Sequence, residues 1–372
     1  MSLRRIQDAE GELKGTRVIC RVDFNVPIKD SGIVLSDFRI KAALPTIEFL
    51  QKAGAKVILI SHIGRNPEES LQPVANYMIQ NLGMKIDFIP GLFGADIEDK
   101  IDSMNDGDIV MLENLRRDSG EVENNSLFVK ELSEYGEIYV NEAFSVSHRN
   151  HASITGLAVE LPSFAGLRLQ EEVERLSLEN REHPILAVIG GKKFETKSPL
   201  IERFIEDADQ VYVCGALAHD IYTARGLEIG VSLHGKSASK EIIESDKIFA
   251  PTDVLVENGA RDKYKKVEEV LNNDNIVDIG MDSLDELKSL SKQAKTVIWN
   301  GPLGRRNIGT ENYLEFLQGH PGEVIIGGGD TVSLIEKMGL MNEFSFVSTG
   351  GGSMLKYMEK GSLVGIDVLL DQ

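Results

Sequence analysis

The sequence predicts an α/β protein made of two parallel-sheet halves. Three observations lead there. Apolar runs of strand length alternate with segments of helical period along the whole chain, the pattern of parallel strands covered by helices. The 372 residues exceed one domain of ordinary size. Between two stretches of this alternation lies a strongly charged helical segment, 168–182 (RLQEEVERLSLENRE), with no strand close on either side.

The first strand, over 17–25, begins with Val18, Ile19 and Cys20. In its second part Val22, Phe24 and Val26 alternate with Arg21, Asp23 and Asn25, so the polar set shares one face. Pro27 has no N–H and ends the ladder. A helix is expected over 39–53, stopped by Gly54, and another over 125–135, stopped by Gly136. Strands are expected at 55–61, 85–90, 107–113 and 137–144. Beyond the charged segment, strands are expected at 184–190, 210–214, 247–256, 295–299, 323–327 and 344–348, with helices at 199–208 and 284–294. In such sheets ligands bind at the carboxyl ends of the strands.

Composition excludes several classes. The net charge is 40 − 59 = −19, unlike a general nucleic-acid binder, whose affinity rests on basic surface. No apolar run reaches membrane-spanning length, and the N-terminus has no signal-peptide pattern. Cys20 and Cys214 both sit in apolar runs and read as small buried hydrophobes, which favours a reducing, cytoplasmic setting. An anionic ligand must therefore be held by a local cluster of cations.

The first half supplies one where strands end. Arg21, Asp23 and Asn25 come first, and Arg39 opens the next helix. SHIGR brings His62 and Arg65, ENLRR brings Arg116 and Arg117, and SVSHRNH brings His148, Arg149 and His151. A lone arginine after a strand is usually solvated, and a lone histidine usually packs or caps. Four such loops at one sheet edge point instead to a small polyanion carrying phosphate and carboxylate groups. The histidines of HRNH lack the nearby carboxylate pair that a metal would want.

The second half collects glycines at its strand ends. GGKKFETK (190–197) carries Lys193 and Lys197, four apart. NGPLG (300–304), GGGDT (327–331) and TGGGS (349–353) come after three later strands, the last opening the final helix. One triple glycine is commonly a tight turn. Two of them with a lysine pair point to a nucleotide triphosphate site, where backbone N–H groups and helix N-termini meet phosphate. Asp330 is the natural carboxylate for Mg²⁺ there. No GxxxxGK[ST] string occurs, so this is not a P-loop.

Taken in order, RVDFNVP, RIKAALP, SHIGR, LENLR, NEAF with HRNH, WNGPLG, GGGDT and VSTGGG resemble the phosphoglycerate kinase family over essentially the full chain. The resemblance implies two Rossmann-like lobes joined by a hinge helix. The phosphoglycerate-binding lobe would be 1–167, the hinge 168–182 and the nucleotide-binding lobe 183–353, with 354–372 returning to the first lobe. It implies reversible phosphoryl transfer between 1,3-bisphosphoglycerate and Mg·ADP, hinge bending, and a monomer with no nucleic-acid or membrane partner. By the same resemblance Asp23, Phe24 and Asn25 hold the glycerate and Arg21 braces their loop. His62, Ile63, Gly64, Arg65, Arg116 and Arg149 take the non-transferred phosphate, and Arg39 faces the reacting carboxyl. Lys197, with Gly350 and Gly351, would neutralise the moving phosphoryl. Gly191, Lys193, Gly215, Asn300, Gly328, Gly329, Asp330 and Thr331 would hold the nucleotide, Asp330 through the metal.

The chain departs from the family pattern in places. CGALA (214–218) stands where a triple glycine is usual. Arg305, Arg306 and Asn307 come after WNGPLG where the family has a hydrophobic pair and a ribose-binding glutamate. Glu142 replaces an aspartate, and Lys192 adds a cation beside Lys193. These changes touch base and ribose more than phosphoryl transfer. Two other readings stand beside the first: a non-catalytic nucleotide-binding protein on this fold, and a kinase for another acyl phosphate with altered nucleotide preference. Arg39, Lys197 and Asp330 together argue against the former. The set from Asp23 to Arg149 argues against the latter.

Overall fold

Six strands form a parallel sheet in the first half: β1 (Arg17–Arg21), β2 (Lys56–Ile60), β3 (Asp87–Ile89), β4 (Ile109–Leu112), β5 (Ile138–Asn141) and β6 (Ser163–Ala165), in the order β3-β4-β2-β1-β5-β6. The protein is seen in a computed structural model that describes residues 2–371 except 180, 193, 236, 237 and 260. The central strands are buried almost throughout because helices cover both faces, so their sequences are apolar runs (VICR, KVILI, IVML) rather than alternations. Strand register sets where the loops emerge. Arg21 pairs with Ile60 on one side and with Asn141 on the other. The loops after β1, β2 and β5 therefore leave the sheet at the same level, and Leu59 opposite Met111 brings the loop after β4 to it as well.

The second half repeats the plan with β7 (Ile185–Ile189), β8 (Gln210–Val213) and β9 (Ile248–Phe249). It adds β10 (Asp253–Asn258), β11 (Arg261–Lys266) and β12 (Asn275–Ile279), then β13 (Thr296–Asn300), β14 (Glu323–Gly327) and β15 (Phe346–Val347). The parallel sheet runs β15-β14-β13-β7-β8-β9, while β11-β10-β12 form a separate antiparallel sheet. Asn300 pairs with Ile189 and with Gly327, which aligns the glycine-rich loops.

The chain divides into two units, Met1–Glu174 with Lys360–Gln372, and Arg175–Glu359. Both divisions fall inside helices, Leu167–Leu176 and Gly351–Lys360, rather than at element ends. Within the first unit the returning segment is tied down by the Arg4 N–H on Leu369 O (3.0 Å) and the Gly365 N–H on Ser147 O (2.8 Å).

Four expectations need correction. The first strand stops at Arg21, not residue 25, because Val22 makes one more bond to Ile60 O and Phe24 N–H then turns to the Ser61 hydroxyl (3.0 Å). The charged helix ends at Leu176, not 182. Beyond it the Arg181 guanidinium takes Ser177 O (2.8 Å) and Arg175 O, so its side chain meets carbonyls that another helical turn would have bonded. The run 247–256 is two strands in different sheets, β9 and β10. The helix after TGGGS is not the last, since a short one lies beyond it at Val364–Asp367.

Candidate active site

In the first unit the end of β1 delivers Asp23 and Asn25 into a polar pocket. Asp23 is buried. Its carboxylate accepts from the Ser145 hydroxyl and from Asn25 N–H (3.2 Å), and pairs with Arg39 (3.2 Å). Arg39 also donates to Asn25 O (3.0 Å), and Asn25 Oδ1 accepts from Gly64 N–H (2.9 Å). Phe24 is fully buried and anchors the loop. Gly64 has φ +60, a left-handed conformation that favours glycine. Asn114 holds the facing loop: its Oδ1 accepts Ile63 N–H and Arg116 N–H, both at 3.1 Å.

Around this pocket stand four basic groups. His62 is buried, and its Nδ1 lies 2.9 Å from Arg21 Nη2. Burial, followed by the charges of Arg21, Arg116, Arg149 and Arg39, holds its pKa well below the usual range, so the ring is neutral at pH 7. Arg116 donates to Gly64 O, and burial and Arg149 lower its pKa. Arg65 and Arg149 are exposed, and Arg149 Nε approaches His148 Nε2 (3.3 Å). Among the described residues, Arg65, Arg116 and Arg149 have no carboxylate partner, whereas Arg117 pairs with Glu113 at 3.1 Å. In a chain of net charge −19, arginines without a carboxylate partner at one sheet edge have the chemistry to attract an anion.

The second unit builds its site around Lys197. This lysine is 9% exposed. Its Nζ donates to Gly190 O and to Asn300 Oδ1 (3.1 Å). Burial lowers its pKa to about 8, against the opposing pull of Cys214 and Asp330. A Cβ at Gly190 would collide with Pro302 O, so the 190–191 and 301–302 turns approach backbone to backbone. Gly328 caps the helix Gly329–Lys337, with Asp330 exposed in its first turn. The Thr331 hydroxyl is buried without a hydrogen-bond partner among the described residues. Gly350 N–H bonds the Ser348 hydroxyl (3.0 Å), and Gly351 starts the next helix. Lys193 lies outside the described residues. A cavity of about 450 Å³ extends from Gly191 and Gly215 along Ala218, Tyr222, Leu233 and Leu303.

The phosphoglycerate kinase family model matches residues 6–361. The chain is 40% identical over 392 residues to the phosphoglycerate kinase of Coprothermobacter proteolyticus, covering 100% of this chain and 99% of the relative. It is 38% identical over 393 residues to that of Borrelia turicatae, with 99% and 100% covered. The chain belongs to the phosphoglycerate kinase family. Solved structures agree: the phosphoglycerate kinases of Coxiella burnetii (TM-score 0.84, 32% identity, 99% of both chains) and Pyrococcus horikoshii OT3 (TM-score 0.86, 28% identity, 99% of this chain and 98% of that one) share the fold.

Against the phosphoglycerate kinase pattern, the departures acquire physical content. Arg305 and Arg306 both pair with Glu257 on β10 (2.6 and 3.1 Å), and Arg306 also approaches Asp262 on β11 (3.4 Å). Asn307 takes a left-handed conformation (φ 61) before the helix Ile308–Leu317. The cap is Asp278, which accepts from Ile308 N–H (2.8 Å) and Gly309 N–H (3.3 Å). Glu142 reaches the start of the helix Leu167–Leu176, accepting from Arg168 N–H (3.0 Å), Leu169 N–H (3.3 Å) and Thr46 Oγ1 (2.6 Å). Burial pushes its carboxyl up to about 8. Sequence reasoning missed Ser145, Asn114 and Asp278. Two of them left a signal: Asn114 lies inside LENLR, and Ser145 lies between NEAF and HRNH.

Proposed function

We infer that this chain transfers a phosphoryl group reversibly between the acyl phosphate of 1,3-bisphosphoglycerate and ADP, giving 3-phosphoglycerate and ATP. The observation that carries the reading is the trio Arg65, Arg116 and Arg149, uncompensated beside His62 and the Asp23–Asn25 loop. In this reading the trio and His62 hold the non-transferred phosphate, with Phe24, Ile63 and Gly64 shaping its seat. Asp23 and Asn25 take the glycerate hydroxyl and carboxylate. Arg39, already turned toward Asp23 and Asn25, faces the reacting carboxyl.

On the nucleotide side, Gly191, Gly215, Asn300, Gly328, Gly329 and Thr331 line the path of the phosphates. Lys197 and the backbone at Gly350 and Gly351, where the helix Gly351–Lys360 begins, neutralise the phosphoryl oxygens in flight. The nucleophile in the ATP-consuming direction is a carboxylate already ionised at neutral pH, so no general base is needed. Alignment and charge stabilisation carry the reaction.

The residues fit a magnesium ion carried by the nucleotide. Among the described residues no cluster of three or more His, Cys, Asp or Glu could cage a metal, and Asp330 stands exposed as a single carboxylate. Mg²⁺ is commonly held by one or two carboxylates with substrate phosphates and water. When bound it would neutralise phosphate charge. The reading includes a cytoplasmic monomer without nucleic-acid or membrane partners; no described helix is long and apolar enough to cross a membrane.

A coupled assay with 3-phosphoglycerate, Mg²⁺ and ATP tests the proposal. Turnover is expected. Nucleotide binding without turnover would identify a non-catalytic relative, and turnover only with another carboxylate would move the substrate assignment.

A further inference from the structure

Behind the anion site of the first unit lies a fully buried polar chain. Arg21 is 1% exposed and Glu121 0%. Arg21 Nε donates to Ser153 Oγ (2.9 Å), and Ser153 Oγ donates in turn to Glu121 Oε1 (2.7 Å). The Ser153 N–H reaches Glu121 Oε2 (2.9 Å), so both carboxylate oxygens are engaged by one residue. Ser153 lies in a single π-helical turn, Ala152–Gly156, a rare conformation that often marks functional positions. The Tyr139 hydroxyl pins that turn through Ser153 O (2.6 Å). Arg21 Nη1 is held by Val22 O, which leaves Nη2 aimed at His62 Nδ1 (2.9 Å).

The chemistry of that last contact is unambiguous. A guanidinium has five N–H donors and no acceptor. At 2.9 Å, His62 Nδ1 must be the acceptor and so carries no proton. A neutral imidazole has one proton, which then sits on Nε2. Among the described residues, no protein group takes that Nε2 proton. An imidazolium would set N–H against N–H and add a cation beside Arg21, Arg39, Arg116 and Arg149.

We propose that Arg21 is a positioning residue: clamped by Ser153 and Glu121, it fixes His62 as the neutral tautomer protonated on Nε2, which meets the substrate phosphate as a hydrogen-bond donor. The inference rests on the reading of this pocket as the phosphate seat. Glu121 balances the charge of Arg21 through the Ser153 hydroxyl, which keeps a buried guanidinium tolerable. Lysine could not replace Arg21, because one ammonium lacks the planar fork that spans Ser153 and His62.

Long-range proton–nitrogen NMR on the ligand-free full-length chain reads the tautomer directly. At neutral pH His62 is expected to show an unprotonated Nδ1 and a protonated Nε2. Ser153→Ala is expected to give a mixture of tautomers, with KM for 3-phosphoglycerate raised about 5–10-fold and kcat within about twofold. In a His62→Gln background, which keeps a donor near the Nε2 position without the Nδ1 acceptor, Ser153→Ala is expected to add less than about twofold. A wild-type ring protonated on Nδ1, or on both nitrogens, overturns the proposal. An undiminished Ser153→Ala effect in the His62→Gln background does so too. If Ser153→Ala fails to fold, the wild-type spectrum decides alone. Wild-type turnover is scored separately, so an inactive chain with the expected tautomer counts against the functional reading and not against the clamp.

Discussion

Replacing Lys197 by methionine is expected to abolish most activity and yet stabilise the ligand-free protein at neutral pH. The ammonium is nine-tenths buried, and its pKa falls from 10.5 in the open chain to about 8 in the fold. At about 1.4 kcal/mol per pH unit, keeping it charged inside the native state opposes folding by roughly 3 kcal/mol. Methionine removes that penalty. It also loses the hydrogen bonds to Gly190 O and Asn300 Oδ1, about 1 kcal/mol each. The net gain at pH 7 is therefore about 1 kcal/mol. The sign of the pH dependence is fixed. Below pH 8 the lysine is charged in both states and the full penalty applies. Between about 8 and 10.5 the native lysine loses its proton before the unfolded one, and wild-type stability rises relative to the variant. Urea unfolding at several pH values reads this difference, which should move by roughly 3 kcal/mol across that interval. Meanwhile kcat should fall about 10²–10³-fold, because charge stabilisation of the phosphoryl group is lost. A pH-independent stability difference, or near-native kcat, would refute the reasoning.

Other outcomes are expected. Arg116→Ala and Arg149→Ala should each weaken 3-phosphoglycerate binding by about 1.5–3 kcal/mol, measured by titration, and unchanged binding in both would dismantle the anion site. Glu142→Gln should stabilise the protein progressively as pH rises from 4.5 to about 8, since the native carboxyl stays protonated there while the unfolded one ionises; thermal melts showing a constant offset would contradict this. ATP and GTP should be used within about tenfold of each other in kcat/KM, because the cavity wall beside Ala218, Leu233 and Leu303 is apolar, and Arg305 and Arg306 are tied to Glu257. A hundredfold preference for ATP would show a selective purine contact.

The sequence by itself determined the parallel architecture and the residues at each sheet edge. Short apolar runs rich in β-branched residues, such as KVILI, read as strands buried on both faces, and loops such as SHIGR and GGGDT come directly after them in the chain. Those signals are local, spanning a few residues, and so they survive in one dimension. The antiparallel sheet of β10, β11 and β12 was missed because its strands mix polar and apolar residues, which hides the strand signal, even though β10 and β11 form a local hairpin with Asn258 opposite Arg261. What only the tertiary structure decided is which partner each charged group meets. Arg21 was expected to brace the Asp23–Asn25 loop, but its partners were not legible: it is turned inward to Ser153, 132 positions away, and through it to Glu121. Nothing local announced that Arg305 and Arg306 would both pair with Glu257. Charged side chains find their partners through space after the backbone is placed, and the sequence spacing between them carries no trace of that choice.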